Sequence, residues 1–171
     1  MVRCKDETLP LTPDSSQDIK FIADAMLGRL ARWLRFLGFD TLYYAGISDK
    51  RLVRISREQE RLILTRDTRL VQIKGIQYLL IRENDSSKQL IEVMKELNIK
   101  KYSPLSRCVS CNGRLDKVSD SMEVKDAVPE FVFLHARLFM KCRDCGKIYW
   151  EGSHSQHFRD NVLKALQISL T

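Results

Sequence analysis

Four of the five cysteines fall in two Cys-x-x-Cys pairs, Cys108 and Cys111 in RCVSCNG and Cys142 and Cys145 in KCRDCGK. Four thiolates are a donor set for tetrahedral zinc, and a closed four-cysteine site is structural because it leaves no position for water. Gly113 and Gly146, close behind each pair, allow the tight turns that wrap the cysteines around an ion. A redox dithiol and an iron–sulfur cluster are the alternatives, and two matched pairs among short apolar runs favour Zn2+. Cys4 stands alone and is assigned no role.

The second chemical constellation is acidic. Asp24 follows one apolar run, Asp49 opens the segment after a second, and Asp67 ends a third in LILTRD. Singly, each reads as a helix N-cap, which stabilises a helix by about 1 kcal/mol. Together, at successive strand-to-helix turns, they would line one edge of a sheet. Close carboxylates repel unless a cation neutralises them, and hard oxygen donors select Mg2+ or Mn2+ over zinc. Such an ion activates water and neutralises charge on a scissile phosphate. Asp85, in ENDSS, is a fourth candidate ligand, with capping of the next helix as its alternative; Glu58 and Glu60 read as solvated. Thr65 and Arg66 flank Asp67 and offer a hydroxyl and a guanidinium to a phosphate oxygen. Arg29, Arg32 and Arg35 recur at three-residue steps, a basic face beside Asp24 that suits a phosphodiester backbone. Arg107, Arg114, Lys141, Arg143 and Lys147 surround the cysteine pairs, as a nucleic-acid surface or as plain surface charge. His154 and His157 are alternative ligands or phosphate contacts, or half-exposed histidines at a helix start.

The elements that must position these groups alternate. Ile19–Ala23 suits a buried strand, and Leu27, Leu30, Ala31, Leu34 and Leu37 recur at helical spacing until Gly38 caps the helix. Trp33 and Phe36 read as core. A strand Thr41–Ala45, a helix Asp49–Gln59, a strand Leu62–Thr65, a short helix after Asp67, a strand Gln77–Ile81 and a helix Ser86–Leu97 follow. This predicts an α/β fold, a mostly parallel sheet flanked by helices on both faces, with ligands beyond the carboxyl ends of its strands. Residues 1–18 read as a polar, mobile tail, 19–102 as the α/β domain, and 103–171 as a small zinc-ribbon module closed by a helix over Ser153–Leu170.

The 171 residues carry 29 Lys and Arg against 22 Asp and Glu, a net charge of +7 that favours anionic partners such as RNA. No apolar run reaches the roughly 20 residues that cross a bilayer, and no signal core is visible, so a cytoplasmic protein is expected.

DAMLGRLARWLRFLGFDT, the LTRD turn, the paired Cys-x-x-Cys motifs and YWEGSH together resemble the mut-seven C-terminal RNase domain family, from Ile19 to about Leu166. The resemblance implies a PIN-like nuclease domain fused to a zinc ribbon, and a metal-dependent ribonuclease leaving a 5′-phosphate and a 3′-hydroxyl. Asp24 and Asp67 carry over directly; at Asp49 this chain has a single aspartate followed by Lys50 and Arg51. The expectation is a divalent-metal-dependent endoribonuclease using Asp24, Asp49, Asp67 and Asp85, with RNA held by Arg29, Arg32, Arg35, Arg66 and Lys147. The rivals are a non-catalytic binder of ribosomal or transfer RNA with the same fold, and a phosphoacceptor domain, which the cysteine module disfavours.

Overall fold

A computed structural model describes residues 19–150. The tail, Cys4, the closing helix, His154 and His157 lie outside these residues.

Four parallel strands form the main sheet in the order β2-β1-β3-β4: β1 Lys20–Ala23, β2 Asp40–Tyr43, β3 Leu62–Thr65 and β4 Tyr78–Leu80. The register aligns Phe21 with Thr41 and Leu62, and Ile63 with Tyr78. The central strand β3, LILT, is buried at every position, as a parallel strand covered on both faces requires. Side chains alternate across the sheet. Phe21, Ala23, Leu62, Leu64, Leu79 and Ile81 pack with α1 (Gly28–Phe36) and α3 (Ser86–Glu96). Ile22 and Ile63 face the other way, onto Leu52 and Ile55 of α2 (Asp49–Glu58). Leu30 and Leu34 are fully buried on α1, so truncation of either to alanine should cost about 2–5 kcal/mol.

The two-sided parallel sheet is as expected, with local differences. A 3-10 turn, Ala25–Leu27, precedes α1 because the Leu27 N–H donates to the Asp24 carbonyl at 2.9 Å. The helix expected after Asp67 is a single 3-10 turn, Leu70–Gln72, whose Gln72 N–H reaches Arg69 O at 3.1 Å. Strand β2 begins at Asp40, one residue early, and ends at Tyr43.

An antiparallel sheet follows, in the order β5-β6-β7: β5 Leu115–Lys117, β6 Phe139–Cys142 and β7 Ile148–Trp150. Between β5 and β6 lie a 3-10 stretch, Ser121–Ala127, and the short α4, Glu130–His135.

Candidate functional sites

The first cysteine knuckle holds its turn by Cys108 N–H to Gly113 O at 2.7 Å and Asn112 N–H to Cys108 O at 2.9 Å. The second repeats the pattern: Cys142 N–H to Lys147 O at 2.9 Å and Gly146 N–H to Cys142 O at 3.1 Å. Gly146 takes φ +70° and Asn112 takes φ +73°. The structural equivalent of Gly146 is therefore Asn112, and the expected turn role of Gly113 is corrected. Gly113 serves close approach instead, since a Cβ there would meet Asp144 Oδ2 at 2.5 Å and Cys142 Sγ at 2.9 Å.

The four sulfurs lie within 4.8 Å of one another, with Cys108 to Cys145 at 3.6 Å and Cys111 to Cys142 at 3.4 Å. Zinc–sulfur bonds of about 2.3 Å in a tetrahedron put sulfurs about 3.8 Å apart, so the cluster fits an ion such as zinc. The Cys111 N–H donates to Cys108 Sγ at 3.5 Å and the Gly113 N–H to Cys111 Sγ at 3.4 Å, and Tyr149 Oη lies 3.0 Å from Cys108 Sγ. Outer contacts of this kind orient metal ligands. Lys147 Nζ donates to Ser110 Oγ at 2.7 Å and ties the two knuckles together.

This module docks on the amino ends of the strands. Thr41 gives both its peptide groups to side chains: its N–H donates to Asn112 Oδ1 at 2.9 Å, and its carbonyl accepts Arg35 Nε at 2.8 Å. Arg35 Nη1 continues to Val109 O at 3.1 Å and Ser110 O at 2.8 Å. Asn112 Nδ2 reaches Asp40 Oδ1 at 2.8 Å, which also receives Arg61 Nη1 at 2.7 Å, with Arg107 Nη2 at 3.4 Å from Oδ2. Burial pushes the Asp40 carboxyl up, but the hydrogen bonds from Arg61 and Asn112 and the charges of Arg61 and Arg107 outweigh it, so its pKa lies below the usual 3.8. Sequence reading missed Asp40, Thr41, Arg61 and Asn112. It also placed Arg35 on the exposed basic face, whereas Arg35 is 5% exposed and bonded to three carbonyls. Arg29 and Arg32 are exposed.

The aspartates lie at the opposite, carboxyl edge. Asp24 makes no side-chain cap bond; its Oδ2 accepts Thr65 Oγ1 at 2.8 Å across from β3. The same Thr65 oxygen accepts the Asp67 N–H at 2.9 Å, so one fully buried hydroxyl positions both aspartates. Asp67 Oδ1 accepts the Arg69 N–H at 2.7 Å and Oδ2 lies 3.2 Å from Arg69 Nη2. The Arg69 backbone N–H, then its guanidinium, hold the Asp67 carboxyl below its ordinary range. Asp49 is exposed in the first turn of α2 and adds to the field that raises the Arg69 pKa, behind Asp67 itself. Asp85 caps α3, accepting Ser87 and Lys88 N–H groups at 2.9 and 3.2 Å. Arg66 Nη2 donates to Asn84 Oδ1. Among the described residues, the four cysteines are the one group of three or more candidate ligands whose donor atoms all lie within 4.8 Å of one another. The aspartates share an edge without closing to that spacing.

The motifs imply a parallel sheet with acids at its carboxyl edge and a four-cysteine module; the structure adds that the module sits at the opposite end of the strands, and the family model for the Mut7-C RNAse domain matches residues 19–162. The chain belongs to this family. No curated protein and no solved structure gives a significant match. The Mut7-C match connects the chain with ribonuclease chemistry and with RNA as substrate or partner. No helix among the described residues is long and apolar enough to cross a membrane.

Proposed function

We propose that this Mut7-C chain is a divalent-metal-dependent endoribonuclease whose site is the carboxyl edge of the parallel sheet. The observation that carries the proposal is the Thr65 hydroxyl, which joins Asp24, just after β1, to Asp67, after β3. In this reading residues 19–102 form the nuclease domain, and residues 103–171 a module that a structural zinc ion folds. A reducing, cytoplasmic setting suits its paired thiols.

Asp24 and Asp67 would hold Mg2+ or Mn2+, with Asp49 approaching from α2. Magnesium retains several waters and takes one or two carboxylates, so two positioned aspartates suit it better than a closed cage of three. When bound, the ion supplies Lewis acidity toward the scissile phosphate and lowers the pKa of the attacking water. Thr65 keeps the Asp24 oxygen turned to the edge. Arg66 and Arg69 place guanidinium charge where phosphate oxygens arrive. Asp85 is left out of the group because its carboxylate caps α3.

The test is cleavage of a labelled mixed-sequence RNA with manganese, magnesium or neither, comparing wild type with Asp24→Asn and Asp67→Asn proteins that retain zinc and bind RNA. Metal-dependent cleavage lost in both variants supports the proposal. Equal RNA binding with no cleavage under any metal refutes it for the RNAs tried. One observation favours that second reading, an RNA-binding protein without catalysis: the Asp67 carboxylate is already engaged by Arg69.

A further inference from the structure

A depression of about 880 Å3 runs along α2, lined by Lys50, Arg51, Val53, Arg54, Arg57 and Ile73. The four cations sit on one side of the helix, while Leu52 and Ile55 are buried beneath it. Arg57 donates from Nη2 to Lys74 O at 2.7 Å and from Nε to Gly75 O at 3.3 Å, so it fixes the opposite wall rather than facing a ligand. Glu58 is the acid in the lining, 3.8 Å from Arg54. Three cations, Lys50, Arg51 and Arg54, therefore face one acid. At the upper end Arg51 lies 5.3 Å from the ring centroid of Tyr44, which is 40% exposed. That end includes Ser48, next to Asp49, and so opens onto the carboxyl edge.

We infer that this groove is the track for a single-stranded polynucleotide, with Lys50, Arg51 and Arg54 on successive phosphates and Tyr44 beneath a base. The inference rests on the reading of the carboxyl edge as an RNA site, and it names the surface that leads the strand there. Grooves for single strands combine cations that follow the backbone with aromatic faces on which bases stack. A duplex keeps its bases stacked inside and has no use for the Tyr44 ring or for the exposed apolar Ile73 in the lining. An acidic peptide would use the cations but not the ring.

The experiment measures anisotropy of a short labelled single-stranded RNA over a salt series. It uses zinc-loaded full chain carrying Asp24→Asn so that the probe stays intact. In that background, Lys50→Gln/Arg51→Gln/Arg54→Gln is compared with Lys88→Gln/Lys95→Gln/Lys100→Gln, which removes equal charge from exposed sites elsewhere. The groove variant should lose about tenfold or more in affinity, and its slope of log K on log salt should shrink by about 2, from about 0.7 per phosphate contact released. The second variant should keep most of both. Tyr44→Ala should weaken binding several-fold with the slope unchanged. Equal losses in the two triple variants, equal affinity for a duplex, equal competition by polyglutamate, or no RNA binding would each overturn the inference. Cleavage by otherwise wild-type chains separates the two claims. If cleavage persists and the groove variant binds normally, the track is wrong and the nuclease stands; if the groove variant loses binding and nothing is cut, the track stands and the catalytic reading falls.

Discussion

Asn112 accepts the backbone N–H of Thr41 at 2.9 Å across 71 positions of sequence, and so its side-chain amide occupies the outer edge of β2 as a neighbouring strand would. The same amide donates to Asp40. Replacing it should separate two effects. Asn112→Gly keeps the left-handed backbone of φ +73° but deletes both bonds, and should cost about 1–3 kcal/mol. Asn112→Ala should cost roughly 1–2 kcal/mol more, because a Cβ disfavours that conformation. Denaturant unfolding of zinc-loaded proteins should rank wild type above glycine above alanine; a glycine variant as stable as wild type would remove the amide from the account.

Thr65 joins the aspartates through its hydroxyl alone. Thr65→Ser should preserve metal-dependent cleavage, whereas Thr65→Val, equal in shape, leaves Asp24 without this donor and the Asp67 N–H without this acceptor. The valine variant should lose about 10-fold or more in cleavage rate, equivalent to about 1.4 kcal/mol of transition-state stabilisation. Equal rates in the two variants would mean that the hydroxyl does not organise the site.

Arg69 competes with any cation for Asp67. Because the Asp67 carboxyl lies below its ordinary 3.8, its ionised form is favoured in the fold. The contribution is present above the unfolded value and is lost as pH falls through the lower, folded one. Asp67 is thus ionised throughout the range above pH 5, and Arg69→Ala, which lets the pKa rise back, leaves it ionised there. Titration with Mn2+ at pH 7 should therefore show tighter binding in Arg69→Ala, through access rather than protonation. Unchanged or weaker binding would show that Arg69 does not compete.

Gly28 faces the Tyr43 ring, and a Cβ at Gly28 would stand 2.8 Å from both Cζ and Oη. Tyr43 cannot retreat freely, as its hydroxyl donates to Ala25 O at 3.1 Å. Overpacking costs about 1–3 kcal/mol and the helix gain from Gly to Ala returns at most about 1 kcal/mol, so Gly28→Ala should be destabilising overall. Combined with Tyr43→Phe, which removes Oη but leaves Cζ, the losses should be non-additive and only partly recovered in thermal unfolding.

Chelation should release one zinc per chain, and β5, β6 and β7 should lose amide protection first. Arg35 then loses two of its three carbonyl partners, so the melting temperature of the parallel sheet should also fall. A sheet whose melting is indifferent to zinc would show that the docking contributes nothing to it.

The parallel sheet was legible because its signals are local: LILT reads as a strand buried on both faces, and the leucines of α1 repeat at helical spacing. The cysteine cluster was legible for the same reason. Arg35 was not, because a step of three residues falls about 60° short of a full turn. Two such steps carry Arg35 about 120° around from Arg29, away from solvent and toward the cysteine knuckle. The junction of Asp40 with Asn112 spans 72 positions and leaves no pattern in either segment. Asp24 is legible as a candidate ligand at a strand end, with capping as its reading when taken singly, but its bond to Thr65, 41 positions on, leaves no local pattern.

Strand β2 ends the sheet, and its outer edge at Thr41 is occupied by side chains tied to the cysteine knuckle. An unoccupied strand edge is a template for pairing with another chain. Oxidation or stripping of the thiolates should thus register as increased light scattering as well as altered binding. The cysteine module then acts as a sheath whose integrity keeps each copy of the sheet from associating with the next.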